Sequence, residues 1–501
     1  LFLKLRSCNV GYNYIFKKTL KLFFVTLVIL NASISYSQED DFDLESDDFD
    51  LLEDSSFDQL ELDLEKTDNL ILEDTSDLSD LDQNNVTKPS NLIEGFSGNI
   101  IQNFVYGLQN PGVIFSRNKS GVERVETIFN LNYKGQYSSQ LHYKIGANAR
   151  YDWGKWENNK YQTNENNSKF KLKDFYIDYY PSSQIWLRVG NQIIARGKLD
   201  NLSVTDTINP RDFSIPGQGE ISEFRQQVPA LMLNFPISDI KIELVLTSSA
   251  GGNLLGEKGS SFDPTIPFAQ NLANLGGSSY TINYLKASNE LEFFTNINYT
   301  FNGGDISLVF SDENQNQRSL KSIQTTSLYN QLNFGFDRIQ MIGFSGNLAR
   351  GDFLFKYEGA KISGASFLKT NPTDLPGLKK NQNLFALGFD YSGVNNLTIG
   401  YEGNLRIIDN YIEDLTVAKQ TLGYSIQSRW TGMNDLLSIN ANLSRLTGEK
   451  SIISSLSASY KPRDGLTLNA RYVQYDAAET TDTLYPYQKQ DVLILSTEYS
   501  F

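Results

Sequence analysis

From Phe96 onward, hydrophobic and polar positions alternate with a period of two, and the pattern persists to Phe501. Leu291, Phe293, Ile297, Tyr299 and Phe301 stand against Glu292, Asn296, Asn298 and Thr300. Leu397, Ile399, Tyr401, Leu405 and Ile407 stand against Thr398, Glu402, Asn404 and Arg406. Leu141, Tyr143, Ile145, Ala147 and Tyr151 stand against His142, Lys144, Asn148 and Arg150. Strands of roughly ten residues with one apolar face suit a sheet with lipid outside and water inside, whereas sandwich strands run nearer five or six. Candidate strands begin near residues 96, 122, 139, 170, 184, 228, 239, 291, 304, 338, 353, 383, 396, 420, 436, 450, 465 and 489. Every second connection is tight: 135–138, 181–183, 236–238, 302–304, 350–352, 393–395, 431–435 and 461–464. Most others are long, notably 197–227, 249–290 and 312–337. Short turns at one rim and long loops at the other mark an outer-membrane barrel. The pattern predicts an all-β fold over 91–501, a transmembrane antiparallel up-and-down barrel of about 18 strands, with 16 as the alternative count.

In the last strand, Leu493, Leu495, Thr497, Tyr499 and Phe501 share one face, with Ser496, Glu498 and Ser500 on the other. A terminal aromatic after alternating apolar residues resembles the C-terminal signal of barrels handled by the outer-membrane assembly machinery. That resemblance assigns Leu495, Tyr499 and Phe501 to barrel assembly. The opposite end fits export. Lys17, Lys18 and Lys21 precede the apolar run Leu22–Leu30, and Ser35-Tyr36-Ser37 offers small residues at a cleavage site near Ser37. Residues 1–37 therefore read as a signal peptide with an upstream extension, and the true translation start is left open. The apolar run is too short for a spanning helix, which takes ~20 residues.

Charge changes the picture in one place. The formal net charge is −15, yet residues 39–82 hold 20 Asp/Glu and one Lys, and residues 83–501 come within one charge of neutral. Residues 38–90 read as an acidic low-complexity periplasmic segment with the repeat Asp40-Asp41-Phe42-Asp43-Leu44 and Asp47-Asp48-Phe49-Asp50-Leu51. Such a segment suits either a spacer or a tail that folds on a periplasmic or transporter partner through residues 39–82. No basic patch points to nucleic acid. The single cysteine, Cys8, precedes the apolar run, so cleavage would leave no thiol for a disulfide, a metal or a lipid anchor.

With the apolar face outward, the charges projecting into the lumen are Lys144, Arg150, Asp174, Asp178, Arg188, Arg196, Lys241, Glu243, Glu292, Lys356, Glu358, Glu402, Arg406, Arg471 and Glu498. Their near-balance of eight basic and seven acidic groups argues against strong ion selectivity. Most should form ion pairs across the interior. If Tyr180 pairs with Gln184, Arg188 faces Tyr176 and lies diagonal to Asp174 and Asp178. The only histidine, His142, reads as a wall residue, and no catalytic, metal or cofactor site is expected.

The run Arg188-Val189-Gly190-Asn191-Gln192-Ile193-Ile194-Ala195-Arg196-Gly197 leads to Asp206-Thr207-Ile208-Asn209-Pro210-Arg211-Asp212 and then Val228-Pro229-Ala230-Leu231. This block, with Asp178 and Gly343-Phe344-Ser345-Gly346, resembles the domain-of-unknown-function 1302 family of outer-membrane porin-like proteins. That family is itself similar in outline to alginate-export porins. Arg196 stands where the family has Trp. The resemblance implies a porin-type barrel and suggests transport of large amphipathic or lipid-like molecules, without fixing a substrate. The 197–227 loop is rich in turn formers, and Asp206, Asn209, Pro210, Arg211 and Asp212 are its candidate constriction residues. It lies either inside the lumen or outside as an exposed loop.

Two functions fit: a non-enzymatic outer-membrane conduit for a small or amphipathic solute, or a surface barrel whose long loops bind external ligands. The expected surroundings are outer-membrane lipid in a Gram-negative bacterium. Solute, direction of transport and oligomeric state are not legible.

Overall fold

The computed structural model describes residues 95–501 apart from 110–120, 158–159, 163–167, 220–223, 249–250, 257–261, 263–279, 287–290, 326–329, 371–376, 446, 449, 480, 481 and 483. The segment expected to be a signal peptide and the acidic repeat lie outside the described residues. The wall is built from β1 (Phe96–Gly107), β2 (Gly121–Ser138), β3 (Leu141–Glu157), β4 (Ser168–Ser182), β5 (Ile185–Gln192) and β6 (Val228–Ile237). It continues through β7 (Ile240–Ser248), β8 (Leu291–Phe301), β9 (Gly304–Asn314), β10 (Arg338–Arg350), β11 (Phe353–Phe367) and β12 (Leu378–Val394). The last six are β13 (Leu397–Ile408), β14 (Gln420–Gly432), β15 (Leu437–Arg445), β16 (Ile452–Arg463), β17 (Leu466–Asp476) and β18 (Val492–Ser500). Each pairs antiparallel with its chain neighbours, and β18 pairs with β1 from Asn99↔Ser500 to Gly107↔Val492. The result is a closed 18-stranded antiparallel barrel.

The alternation forms this wall because a barrel has one lipid face and one inner face. On the outside, Leu387, Ile342 and Leu308 are 67%, 64% and 60% exposed. Aromatics gather toward the short-turn rim: Phe96 packs on Tyr133 at 4.6 Å and Phe353 on Tyr391 at 4.7 Å between ring centroids. Their amphipathic rings belong where lipid meets water.

Observed strand starts depart from the expected ones by at most five residues, the widest being β12, expected near 383 and beginning at Leu378. Its first turn of chain, Lys379-Lys380-Asn381, has no apolar face to signal it. The connection expected at 135–138 is corrected, since β2 runs on to Ser138 and pairs it with Leu141. Gly135 is not a turn former there; the Tyr143 ring lies over it, in the space a Cβ would fill.

The long-loop side carries small additions. Tyr280–Tyr284, Ser319–Thr325 and Asn330–Gly335 form a three-stranded sheet. Leu254–Leu255 pairs in parallel with Asp212–Phe213. The interior holds more apolar packing than the wall pattern implies. Leu199, Leu202 and Val204 pack with Val309, Met341, Ile362 and Phe367. Ile194 and Ile208 pack with Val228, Met232 and Phe294.

Candidate functional site

In the chain between β5 and β6, residues 193–219 lie against the inner wall of the barrel. Its neck is fixed by Asn209, whose Oδ1 accepts from the Ile194 N–H at 2.9 Å and whose Nδ2 donates to the Gln226 carbonyl at 2.7 Å. The Gln226 N–H donates in turn to the Pro210 carbonyl at 2.7 Å. The buried Asp206 carboxylate binds Arg211 at 3.1 Å and Arg225 at 2.9 Å, locking the two limbs together. Asp212 caps the following turn through the Ser214 N–H at 2.9 Å.

From this neck the loop makes two excursions. The first, Gly197–Thr205, is held by two wall carboxylates. Glu358 on β11 accepts from the N–H groups of Lys198, Leu199, Val204 and Thr205 at 2.5, 2.9, 2.8 and 3.0 Å. It also accepts from the Ser203 and Thr205 hydroxyls, both at 2.9 Å. Glu402 on β13 accepts from the N–H groups of Asp200, Asn201 and Leu202 at 2.6, 3.0 and 2.9 Å. Successive backbone N–H groups curled round an anion form a nest, and here the anion belongs to the protein. Gly197 makes the approach possible: its φ is +87°, and a Cβ would lie 2.8 Å from Glu358 Oε1. Small residues Gly343, Ala360 and Ala386 leave room on the wall; a Cβ at 343 would lie 3.3 Å from the Thr205 methyl.

Charges clamp the same segment. Lys198 reaches Asp305 at 2.6 Å, and Lys356 lies 3.0 Å from loop Asp200 and 2.8 Å from wall Asp390. The second excursion crosses to β17, where Tyr475 donates to the Pro216 carbonyl and Arg471 to the Gly219 carbonyl at 2.6 Å. Arg124 on β2 approaches Gln218 at 3.4 Å.

Three of the expectations for wall residues are corrected by the structure. Tyr179 pairs with Leu187, so Asp178, not Tyr176, faces Arg188. The pair is bidentate and buried, at 2.7 and 2.9 Å, with Trp186 Nε1 donating to Asp178 at 3.0 Å. The shift arises because β4 runs through Pro181 to Ser182 before turning. The guanidinium still lies over the Tyr176 ring, 3.8 Å from its centroid. Asp174 is not part of this cluster; it pairs with Lys144 at 2.8 Å. Arg196 is not a strand residue, since β5 ends at Gln192; it belongs to the loop and pairs with Glu243. Arg150 pairs with Glu126 at 3.5 Å, and Arg406 stands between Leu384 and Thr421 in the ladder. His142 meets Tyr180 edge-on at 5.5 Å. At the closing seam, the N–H groups of Gly98 and Phe501 each donate to the other's carbonyl at 2.9 Å, and Leu495 faces Phe104.

Glu358 was on the sequence list only as one lumen charge among many, and Glu402 likewise. Nothing in the period-two pattern marks a carboxylate as a loop anchor. The usable signal is the run of small residues at inward positions of β10–β12, which leaves space that something must fill.

No protein-family model matches the sequence, and no curated protein does, so the resemblance to the domain-of-unknown-function 1302 family is carried by its motif residues alone. Among solved structures, OccAB3 of Acinetobacter baumannii aligns over 81% of this chain and 98% of its own, at 12% identity and a TM-score of 0.46. OccK8 (OprE) of Pseudomonas aeruginosa covers 81% and 98%, at 10% identity and 0.48. OccK3 (OpdO) of the same organism covers 82% and 96%, at 12% identity and 0.45. All three scores lie below 0.5, so the reading of the site rests on the chain's own geometry.

Proposed function

We propose that the chain is an outer-membrane channel for small or amphipathic solutes, narrowed from within by residues 193–227. The observation that carries this reading is the docking of the loop on the inner wall through Glu358 and Glu402. An 18-stranded barrel encloses more space than wall side chains fill, since about eight strands is the size at which they suffice. A loop fixed inside such a space sets the width left for a solute. The apolar outer face and the rim aromatics support insertion in the outer membrane of a Gram-negative bacterium, after cleavage near Ser37. Leu495, Tyr499 and Phe501 would be read by the assembly machinery, and residues 39–82 would meet a periplasmic or transporter partner.

The test is single-channel recording on the refolded protein. Excision of residues 203–222 should raise the conductance. Unchanged conductance would overturn the constriction. Silence with all loops intact would overturn the channel and favour a surface barrel that binds external ligands.

A further inference from the structure

The inner wall has two unlike halves. Across β7–β13 it is charged, and the loop takes up five of those charges: Glu243 with Arg196, Asp305 with Lys198, Lys356 with Asp200, and Glu358 and Glu402 with backbone N–H groups. Across β15 and β16 the inward positions are neutral. Asn440 faces Ser457, Asn442 faces Ser455, and Ser438 faces Ser459 in the ladder, all half-buried. Ser444 donates to Asn442 at 2.9 Å and lies 2.9 Å from Ser425 on β14.

Uncharged side chains continue past the seam, interleaved with paired charges. Asn148 donates to Asn130 and Asn130 to Asn99, each at 2.7 Å, and Asn99 donates to Glu498 at 2.6 Å. One amide ladder thus crosses β3, β2, β1 and β18. The charges within this half are engaged: Glu126 on β2 binds Arg124 at 3.2 Å and Arg150 at 3.5 Å, Lys144 on β3 binds Asp174 at 2.8 Å, Glu498 takes the end of the ladder, and Arg471 donates to the loop carbonyls. Other charges, such as Lys171 on β4 and Lys461 on β16, sit nearer the strand ends.

Resting on the channel reading above, we propose that the conduit favours uncharged, polyhydroxylated solutes of the sugar class, which would travel along the Asn and Ser side chains of β15 and β16 and the amide ladder of β1–β3. Asn and Ser side chains each present donors and acceptors, as sugar hydroxyls do, so one can replace the other's water along the path. Five fixed charges on the opposite half are already engaged by the loop, which weakens their pull on ions and on a charged solute.

The experiment uses the full-length refolded barrel in planar bilayers in potassium chloride. Maltotriose should lower the ion current, and equal concentrations of gluconate or glucosamine should not. Asn442→Asp places a carboxylate beside neutral Gln427 and Ser455. It should raise the potassium-over-chloride permeability ratio several-fold and weaken the maltotriose effect. Ser455→Asp is a second variant with the same expectation, should the first fail to fold. An open channel that responds to gluconate or glucosamine and not to maltotriose would overturn the sugar inference while leaving the channel intact. So would an unchanged permeability ratio in both folded variants. A silent barrel would overturn both readings together.

Discussion

Glu358→Ala removes the acceptor shared by the N–H groups of Lys198, Leu199, Val204 and Thr205 and by two hydroxyls. A buried N–H left without a partner costs about 1–3 kcal/mol, and bonds to a charged acceptor lie at the strong end. Water in the lumen can re-solvate part of the segment, so the low end applies to each of the four backbone donors. The sum is about 4 kcal/mol taken from the docked loop, or about a thousandfold in its local opening equilibrium. The wall keeps its ladders, so the heat resistance of the folded barrel on gels should change little. Hydrogen exchange of the amides from Lys198 to Thr205 should accelerate by about that factor. Single-channel conductance should rise or flicker. Wild-type exchange and conductance in a correctly folded variant would refute the anchoring argument.

Glu402→Gln, which weakens the hold on three N–H groups, should speed exchange at Asp200, Asn201 and Leu202 more than at Val204 and Thr205; uniform change would mean that the excursion opens as one unit. Gly197→Ala should cost about 1–3 kcal/mol, because it combines positive φ with a contact on Glu358, and conductance should resemble that of Glu358→Ala. Arg188→Ala leaves the Asp178 carboxylate buried without its bidentate partner and should cost about 3–5 kcal/mol, seen as lower heat resistance on gels. Replacing both residues by apolar ones should recover much of that loss, and no difference between single and double variants would sink the pairing argument. Burial pushes the Asp337 carboxyl up, but hydrogen bonds from Lys321, Ser319 and Ser366 outweigh it and hold the pKa below the usual carboxylate range. Its contribution is therefore complete above the unfolded value of about 4 and lost only as pH falls through the lower folded one. Protection of the Ser319–Thr325 amides, corrected for the intrinsic pH dependence of exchange, should stay constant from pH 7 to about 5; a loss of protection within that window would contradict the assignment.

The wall was legible because each strand repeats one physical demand, apolar toward lipid and polar toward the interior. That demand made all 18 strands visible, with errors where a strand end rises beyond the lipid, as at Lys379 and Lys380. Register was less legible. The turn after β4 looked as though it began at Pro181, and a slip of two residues there moved Asp178 from a diagonal to a facing position against Arg188. The loop anchors were least legible. Glu358 lies 153–160 residues from its donors, and a period-two pattern carries no information about contacts across the lumen. Inward apolar residues such as Met341 and Ile362 broke the polar-inside rule for the same reason: they face loop side chains, not water.

The loop precedes its anchors in the chain. Its donors at 198–205 meet acceptors on β11 and β13, and Pro216 meets Tyr475 at a separation of 259 residues. The segment therefore has nothing to hold until most of the wall exists, and contacts of such long range form late. Docking becomes the closing event of maturation. On the channel reading proposed above, the newly inserted barrel would until then be wider than the finished one. On that reading, a cell that makes this protein would have to tolerate, or shorten, a leaky interval after insertion. Variants that weaken the anchors would prolong that interval, and their cost would show as sensitivity to noxious solutes during growth, even where the mature barrel conducts normally.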